Sequence, residues 1–418
     1  MKTITPHEAV AELARHAPDG RVFLSAGPAE PLVLHDAWRA TPETAAALSF
    51  AGLFIPGVNR LDYASLHPEA RMELFMLSPD WRAGLAAGRT RVRPLHYSAA
   101  FAALVAEGAT AGVFTVSAPD AQGLCSFGLA ADAPPAMLAR TGFKLAIVNH
   151  AMPAIAGAPR VPLSAFDAIV ESDTALPTLA GAPANAAAQA IAARVAALIE
   201  DGDTIQTGIG KLPLAAVEAL AARRNLRIHS GLVAPSHLML ADAGAIADEP
   251  AAIRAGIAVG DAAFYRRIAA EPRLSLVGVP ETHGAAALAR IERLVAINAA
   301  LEVDLFGQVN AEYAGAEQIS GVGGLVDFIR GARTSRGGRP IVMLQAEGKG
   351  GVSRIVPRLS AHAVTVSRAD APIIVTEFGT VDLAPLDIDA RAEALASVAP
   401  PSARDDLARA WAEMRATI

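Results

Sequence analysis

Cysteine is nearly absent from the chain: Cys125 is the one thiol in 418 residues. That excludes an intrachain disulfide framework and any cysteine-cluster metal site, and a small buried thiol is the expected role for Cys125. Long apolar runs are missing too. Hydrophobic residues make up 52% of the chain and charged ones 19%, but the excess is alanine scattered among Arg, Glu and Asp. No uninterrupted stretch reaches the roughly 18 residues of a spanning helix. The opening MKTITPHEAVAELARHAPDGR is polar throughout and carries no apolar block of a signal peptide, so the cytoplasm is the expected address and no membrane partner is expected. With a formal charge of −6, a pI near 5.9 and no Lys/Arg block, nucleic acid is not expected as a partner either. The ten histidines form no HxH or HExxH pair, and no metal is expected.

What is present is a repeated α/β pattern. The length exceeds one ordinary core, so two domains are expected. Residues 7–17 have helical spacing, RVFLSAG reads as a strand, Gly27-Pro28 ends it, and PLVLHDAWRA reads as a helix. Strand, glycine-containing loop and helix is the unit of an open α/β sheet, whose ligands bind at the C-terminal ends of the strands. ALSFAGLFIPGVNRL, MELFMLSPDWRAGLAAG, TAGVFTVSAPD and KLAIVNHAMP continue the series. Between Val161 and Ala188 three prolines and little periodicity after Asp173 place the interdomain linker. The architecture then restarts with helix AAQAIAARVAALIEDG, strand and Gly turn DTIQTGIG, and helix LPLAAVEALAARR, so residues 188–224 begin as 7–38 do. Farther on, RPIVML reads as a strand, AVTVSRADAPIIVTEFG as two strands joined by Arg368–Pro372, and 401–411 as a closing helix.

Two glycine-rich segments carry the chemistry. Gln206-Thr207-Gly208-Ile209-Gly210 leaves a strand and opens a helix, so its N–H groups and the helix N-terminus can meet a phosphate or a thioester. Ile319-Ser320-Gly321-Val322-Gly323-Gly324 packs glycines closely enough to aim successive N–H groups at an anion, or at an oxygen that becomes negative during reaction. Asp327 reads as a turn or helix-cap residue, and Lys349 as a solvated lysine.

The long segment INAALEVDLFGQVNAE...ISGVGGLVDFIRGA resembles the signature of the acetyl-CoA hydrolase/transferase family, which holds 4-hydroxybutyrate, butyryl and acetate CoA-transferases. VSAPDAQGLCSFG, IVNHAMPAIAG, QTGIG, SRIVPRL and VTEFGTVDL resemble further family stretches, so the likeness covers nearly the whole chain. It implies an α/β fold of two similar open-sheet domains, roughly 1–180 and 185–418, with the active-site cleft between them and the CoA-binding loops on the second. It implies a short-chain acyl-CoA and a small carboxylic acid as partners, coenzyme A as substrate with no permanently bound cofactor, and self-association into a homo-oligomer. Gln206, Thr207, Gly208, Ile209 and Gly210, and Ile319, Gly321, Val322, Gly323 and Gly324, are the implied CoA-binding residues.

The family moves CoA between carboxylic acids through a glutamate that attacks the acyl-CoA and becomes a glutamyl thioester. That glutamate ends a GIHSE or GVHTE sequence. Here the stretch reads Arg227-Ile228-His229-Ser230-Gly231, with DAGAIAD (242–248) following in register, so Gly231 stands at the position of the nucleophile. Three readings stay open. Another carboxylate, of Glu347, Glu312 or Glu281, reaches the pocket, although each reads as solvent-exposed. Water fills the space left by the missing side chain, with His229 as general base. Or the protein binds acyl-CoA without transferase chemistry. A Ser230/His229/Asp242 set is disfavoured because adjacent strand residues point to opposite faces. His283 and His362 read as isolated.

Overall fold

The computed structural model describes residues 2–18, 20–179, 185–208 and 210–418. The chain packs into two compact units. The first holds residues 2–179 with Leu232–Pro235 and Glu249–Thr282; the second holds 185–231 with Ser236–Asp248 and His283–Ile418.

The first unit is built on an eight-stranded sheet. Across it run Lys2–Thr3, Ala168–Ser172, Thr141–Asn149, Ala109–Val116, Arg21–Leu24, Ser49–Ala51, Arg71–Leu74 and Thr90–Val92. Every neighbouring pair is parallel. Such a sheet is buried on both faces, which is why its strands read as near-continuous apolar runs. Alternation divides them: Val22 and Leu24 enter one core with Trp38, Phe50 and Tyr63, whereas Phe23 enters the other with Phe114, Phe127 and Leu104. The first helix, Pro6–His16, opens on a capping box, with Thr5 Oγ1 accepting from Glu8 N at 3.2 Å and Glu8 Oε2 from Thr5 N at 2.8 Å. Ile253–Ala258 and Leu274–Leu276 form a further parallel pair in this unit.

In the second unit the neighbouring strands are Arg227–Val233, Thr204–Thr207, Leu294–Ala299, Arg339–Met343 and Ile373–Val375, all parallel, with Thr380–Asp382 antiparallel at the edge. Helix Ala186–Ala197 leads in, capped by Asn185, whose Oδ1 accepts from Ala188 N at 2.9 Å. Asp203, fully buried just before the strand Thr204–Thr207, pairs with Arg293 Nε at 2.8 Å and also with Arg339. A side sheet of Val309–Asn310, Glu302–Asp304 and Ile355–Val356 and a hairpin of Tyr313–Ala314 and Glu317–Gln318 carry the chain to helix Leu325–Thr334.

The structure corrects two sequence expectations. Ala168–Ser172, assigned to a linker, is a strand inside the first sheet between Lys2–Thr3 and Thr141–Asn149. Its buried run Ala168-Ile169-Val170 is short, and the flanking prolines mask it. AVTVS is not a strand: Val366 makes one isolated bridge to Val309, and Ile373–Val375 alone joins the main sheet. Among the described residues no helix is long and apolar enough to cross a membrane.

Candidate functional site

The C-terminal ends of the second unit's central strands gather the residues singled out from the sequence. Gln206 and Asn298, on adjacent parallel strands, exchange amide hydrogen bonds: Asn298 Nδ2 donates to Gln206 Oε1 at 2.8 Å and Gln206 Nε2 to Asn298 Oδ1 at 3.3 Å. Thr207 Oγ1 lies 3.1 Å from His237 Nε2. Both side chains thus have protein partners, and what the turn has left for a ligand is backbone. Gly208 donates its N–H to the Ile297 carbonyl at 3.0 Å, and a Cβ there would stand 3.1 Å from Asn298 Oδ1. Gly210 takes φ +116°, a conformation that favours glycine, and opens helix Lys211–Glu218. Ile209 lies outside the described residues.

The second glycine segment leaves the small hairpin. Ile319 and Ser320 donate their N–H groups to the Glu312 carbonyl at 2.8 and 3.3 Å, and Gln318 Nε2 donates to the Ser320 carbonyl at 2.9 Å. Residues 319–324 are half-buried, Gly323 has φ +55°, and Gly324 caps helix Leu325–Thr334. Asp327 sits in the first turn of that helix, where a carboxylate complements the helix dipole. Lys349 is exposed.

Pleating puts His229 and Gly231 on one face of their strand and Ser230 on the other. Ser230 Oγ donates to the Thr207 carbonyl at 3.1 Å, away from any Ser/His/Asp arrangement with His229 and Asp242. Over Gly231 lies a group that the sequence reading took as isolated, the imidazole of His283. A Cβ on Gly231 would meet His283 Cε1 at 2.9 Å and Nε2 at 3.0 Å. A Cβ on Gly324 would meet the same Nε2 at 2.5 Å and Cδ2 at 2.7 Å. The Phe328 ring, one turn into the helix, tilts against the imidazole with centroids 4.6 Å apart. So the volume over Gly231, which one of the three open readings gives to water, is filled by His283, and two missing side chains make the cradle.

Local packing explains how the ring arrives there. His283 stands one residue before Gly284, the N-cap of the short helix Ala285–Leu288, and Leu288 presses on Gly331, where a Cβ would come within 2.7 Å of Leu288 Cδ1. Gly331 therefore lets the two helices approach, which carries His283 over Phe328 and Gly324. Burial, with a smaller contribution from the nearby His229, pushes the His283 pKa down to about 3. The ring is neutral at physiological pH. No spacing rule links Gly231, His283 and Gly324, and only the glycines hinted at a close approach.

A second correction concerns Glu312. It was expected in solvent, but it is 4% exposed, and its Oε1 accepts from Thr365 Oγ1 at 2.9 Å. The tight turn after Val309–Asn310 folds it inward, with Asn310 Oδ1 accepting from Glu312 N at 3.0 Å and from Tyr313 N at 2.9 Å. Glu347 and Glu281 are exposed. Cys125 is buried as expected, and burial pushes its thiol up to about 11, so it stays protonated. Among the described residues no group of three or more His, Cys, Asp or Glu could hold a metal ion.

Residues 260–411 match the family model of the acetyl-CoA hydrolase/transferase C-terminal domain. The chain is 37% identical over 299 residues to the 4-hydroxybutyrate coenzyme A transferase of Clostridium kluyveri, covering 70% of each protein. It is 29% identical over 267 residues to an acetyl-CoA hydrolase of Yarrowia lipolytica, covering 60% of this chain and 51% of that protein. Among solved structures, RipA from Yersinia pestis superposes with a TM-score of 0.90 at 29% identity, over 99% of this chain and 98% of the other.

Proposed function

The chain belongs to the acetyl-CoA hydrolase/transferase family, and from that premise we propose that it binds a short-chain acyl-CoA and cleaves the thioester with water as the acyl acceptor. One observation carries the choice of water over a carboxylate. The resemblance aligns Gly231 with the glutamate that forms the covalent CoA intermediate, and the space that glutamate would need is occupied by a neutral imidazole. Without a carboxylate there, no glutamyl-CoA forms at residue 231, and CoA cannot be held while the acid products exchange. The backbone of Gly208–Gly210 and of Ile319–Gly324 is proposed to hold the CoA thioester, the second loop donating N–H groups to the oxyanion. Coenzyme A is substrate, with no resident cofactor. The two domains of this reading are 1–180 and 185–418.

A second reading has its own observation. Glu312 is a buried carboxylate on the hairpin that carries the Ile319–Gly324 loop, and a carboxylate reaching the thioester would restore transfer to a carboxylic acid. The two readings separate when the protein is given acetyl-CoA or butyryl-CoA with and without a labelled carboxylate. Free CoA released at the same rate in both conditions is the expected result. Labelled acyl-CoA formed at enzymatic rates would replace hydrolysis by transfer, and CoA binding with neither product would leave an acyl-CoA-binding protein without catalysis.

A further inference from the structure

We propose that the first unit holds a ligand site of its own, a pocket at Arg266 that takes a carboxylate with a hydrocarbon body. None of its residues belongs to the cradle at Gly231, so the site is independent of the acyl-CoA reading above.

The pocket lies past the C-terminal ends of two neighbouring parallel strands, Thr141–Asn149 and Ala168–Ser172, the side on which an open α/β sheet receives ligands. His150 and Pro153 line it after the first strand, Leu176 after the second, and Ala262, Tyr265 and Arg266 from helix Ala262–Ala269. Its volume of about 370 Å³ falls within the ~300–1,000 Å³ of small-molecule sites. The irregular segment Ala175–Thr178 forms one wall, and three bonds near its ends fix it. Asn149 Nδ2 donates to the Thr174 carbonyl at 2.9 Å, Tyr265 Oη to the Pro177 carbonyl at 2.6 Å, and Leu179 N to the Gly260 carbonyl at 3.1 Å. Burial pushes the Tyr265 phenol up to about 12, so it stays a donor. The pocket is therefore formed before a ligand arrives, and little ordering is left to oppose binding.

Charge selects the ligand. Arg267 and Arg273 both pair with the buried Glu271, at 3.7 and 2.5 Å. Arg266 lines the pocket and has no hydrogen-bond or ion-pair partner among the described residues. Asp261, on the turn before the same helix, is used as its cap and accepts from Phe264 N at 2.7 Å. The other basic group of the lining, His150, is engaged by Glu171, Nε2 to Oε2 at 3.1 Å. The Arg266 guanidinium is thus the lining charge left without a counter-ion. A guanidinium takes both oxygens of a carboxylate through two parallel N–H···O bonds. Leu176, Pro153 and the Tyr265 ring then cover the hydrocarbon body. A phosphate would set a further charged oxygen against those apolar walls with no second free cation to meet it.

The test measures binding of hexanoate, butyrate and inorganic phosphate to the full-length protein by calorimetry, with and without saturating coenzyme A, alongside Arg266→Gln, Arg266→Lys and Leu176→Gln. Hexanoate should bind more tightly than butyrate, phosphate should give no binding heat, and coenzyme A should leave the hexanoate affinity unchanged. Arg266→Gln should weaken hexanoate by roughly tenfold or more, Arg266→Lys by less, and Leu176→Gln should remove the preference for the longer chain. Arg266 is exposed, so its variants decide the matter even if Leu176→Gln fails to fold. Hexanoate affinity undiminished in Arg266→Gln, phosphate bound as tightly as hexanoate, or displacement of hexanoate by coenzyme A would each overturn the site, as would native protein that binds no carboxylate. Release of free CoA from acetyl-CoA, followed in the same samples, should be equal in native protein and Arg266→Gln. Its absence from both would sink thioester cleavage and leave the carboxylate site standing.

Discussion

In the first unit the leading strand, Arg21–Leu24, pairs with Ser49–Ala51 on one side and Ala109–Val116 on the other. In the second, Thr204–Thr207 pairs with Arg227–Val233 and Leu294–Ala299 in the same arrangement, each leading strand preceded by one helix and followed by a glycine turn and another. The winding is shared, but the contents differ. The first unit's core is aromatic, with Trp38 set edge-on to Phe50 at 5.1 Å and Tyr63 stacked near Phe54 at 5.8 Å. The second unit's large core is Val, Leu, Ile and Ala, and its sheet entrance is held by the Asp203, Arg293 and Arg339 ion pairs. Each unit also holds a buried titratable group whose neutral form burial favours past its ordinary range. Burial pushes Glu30 up to about 7, with Tyr63 Oη donating to Oε1 at 3.3 Å, whereas His283 is pushed down to about 3. One topology thus tolerates two core chemistries, and what it does chemically is decided by the few residues at the strand ends.

The largest effects should be confined to one unit each. Trp38→Ala is expected to cost about 3–5 kcal/mol, with amide hydrogen exchange accelerated in the first sheet and little changed in Leu294–Ala299. Asp203→Ala leaves two arginines without their buried partner and should cost a similar ~3–5 kcal/mol with the opposite distribution of exchange. Matching losses of protection in both sheets would mean the units unfold as one.

The two neutral groups should give stability opposite pH limbs. Glu30 has a folded pKa above its ordinary 4.5, so its contribution is complete below that value and is lost as pH rises through about 7. His283 has a folded pKa below its ordinary 6.5, so its contribution is complete above that value and is lost as pH falls toward about 3. The limbs should amount to roughly 3 and 5 kcal/mol respectively. Urea unfolding at a series of pH values should show Glu30→Gln flattening the alkaline limb alone and His283→Gln the acid limb alone.

Smaller effects sharpen the reading of the cradle. Gly231→Ala should cost about 1–3 kcal/mol by forcing a Cβ against the imidazole, and close to nothing in a His283→Ala background, a coupling that a double-mutant cycle measures. Equal costs in the two backgrounds would mean the ring does not set the need for glycine. The smallest expected change is Thr5→Ala, about 1 kcal/mol from the lost capping box, visible as fraying of Pro6–His16 by exchange.

Much of this was legible in the residues. Apolar runs ending at Gly27-Pro28 and at Gly208–Gly210 announced strands and their turns, and the helical spacing of residues 7–17 announced the first helix. The strand Ala168–Ser172 was hidden because its burial depends on neighbours at 2–3 and 145–149, which no local pattern records. Glu312 read as exposed because its type is usually so, and a turn stabilised by Asn310 decided otherwise.

By itself the sequence determined the α/β alternation, the family and the glycine at residue 231, because these are properties of local periodicity and residue identity. What packs against that glycine was decided only in three dimensions. His283 reaches Gly231 because Gly331 admits a helix and Gly324 admits a ring, and close packing of this kind brings together residues that no sequence spacing relates.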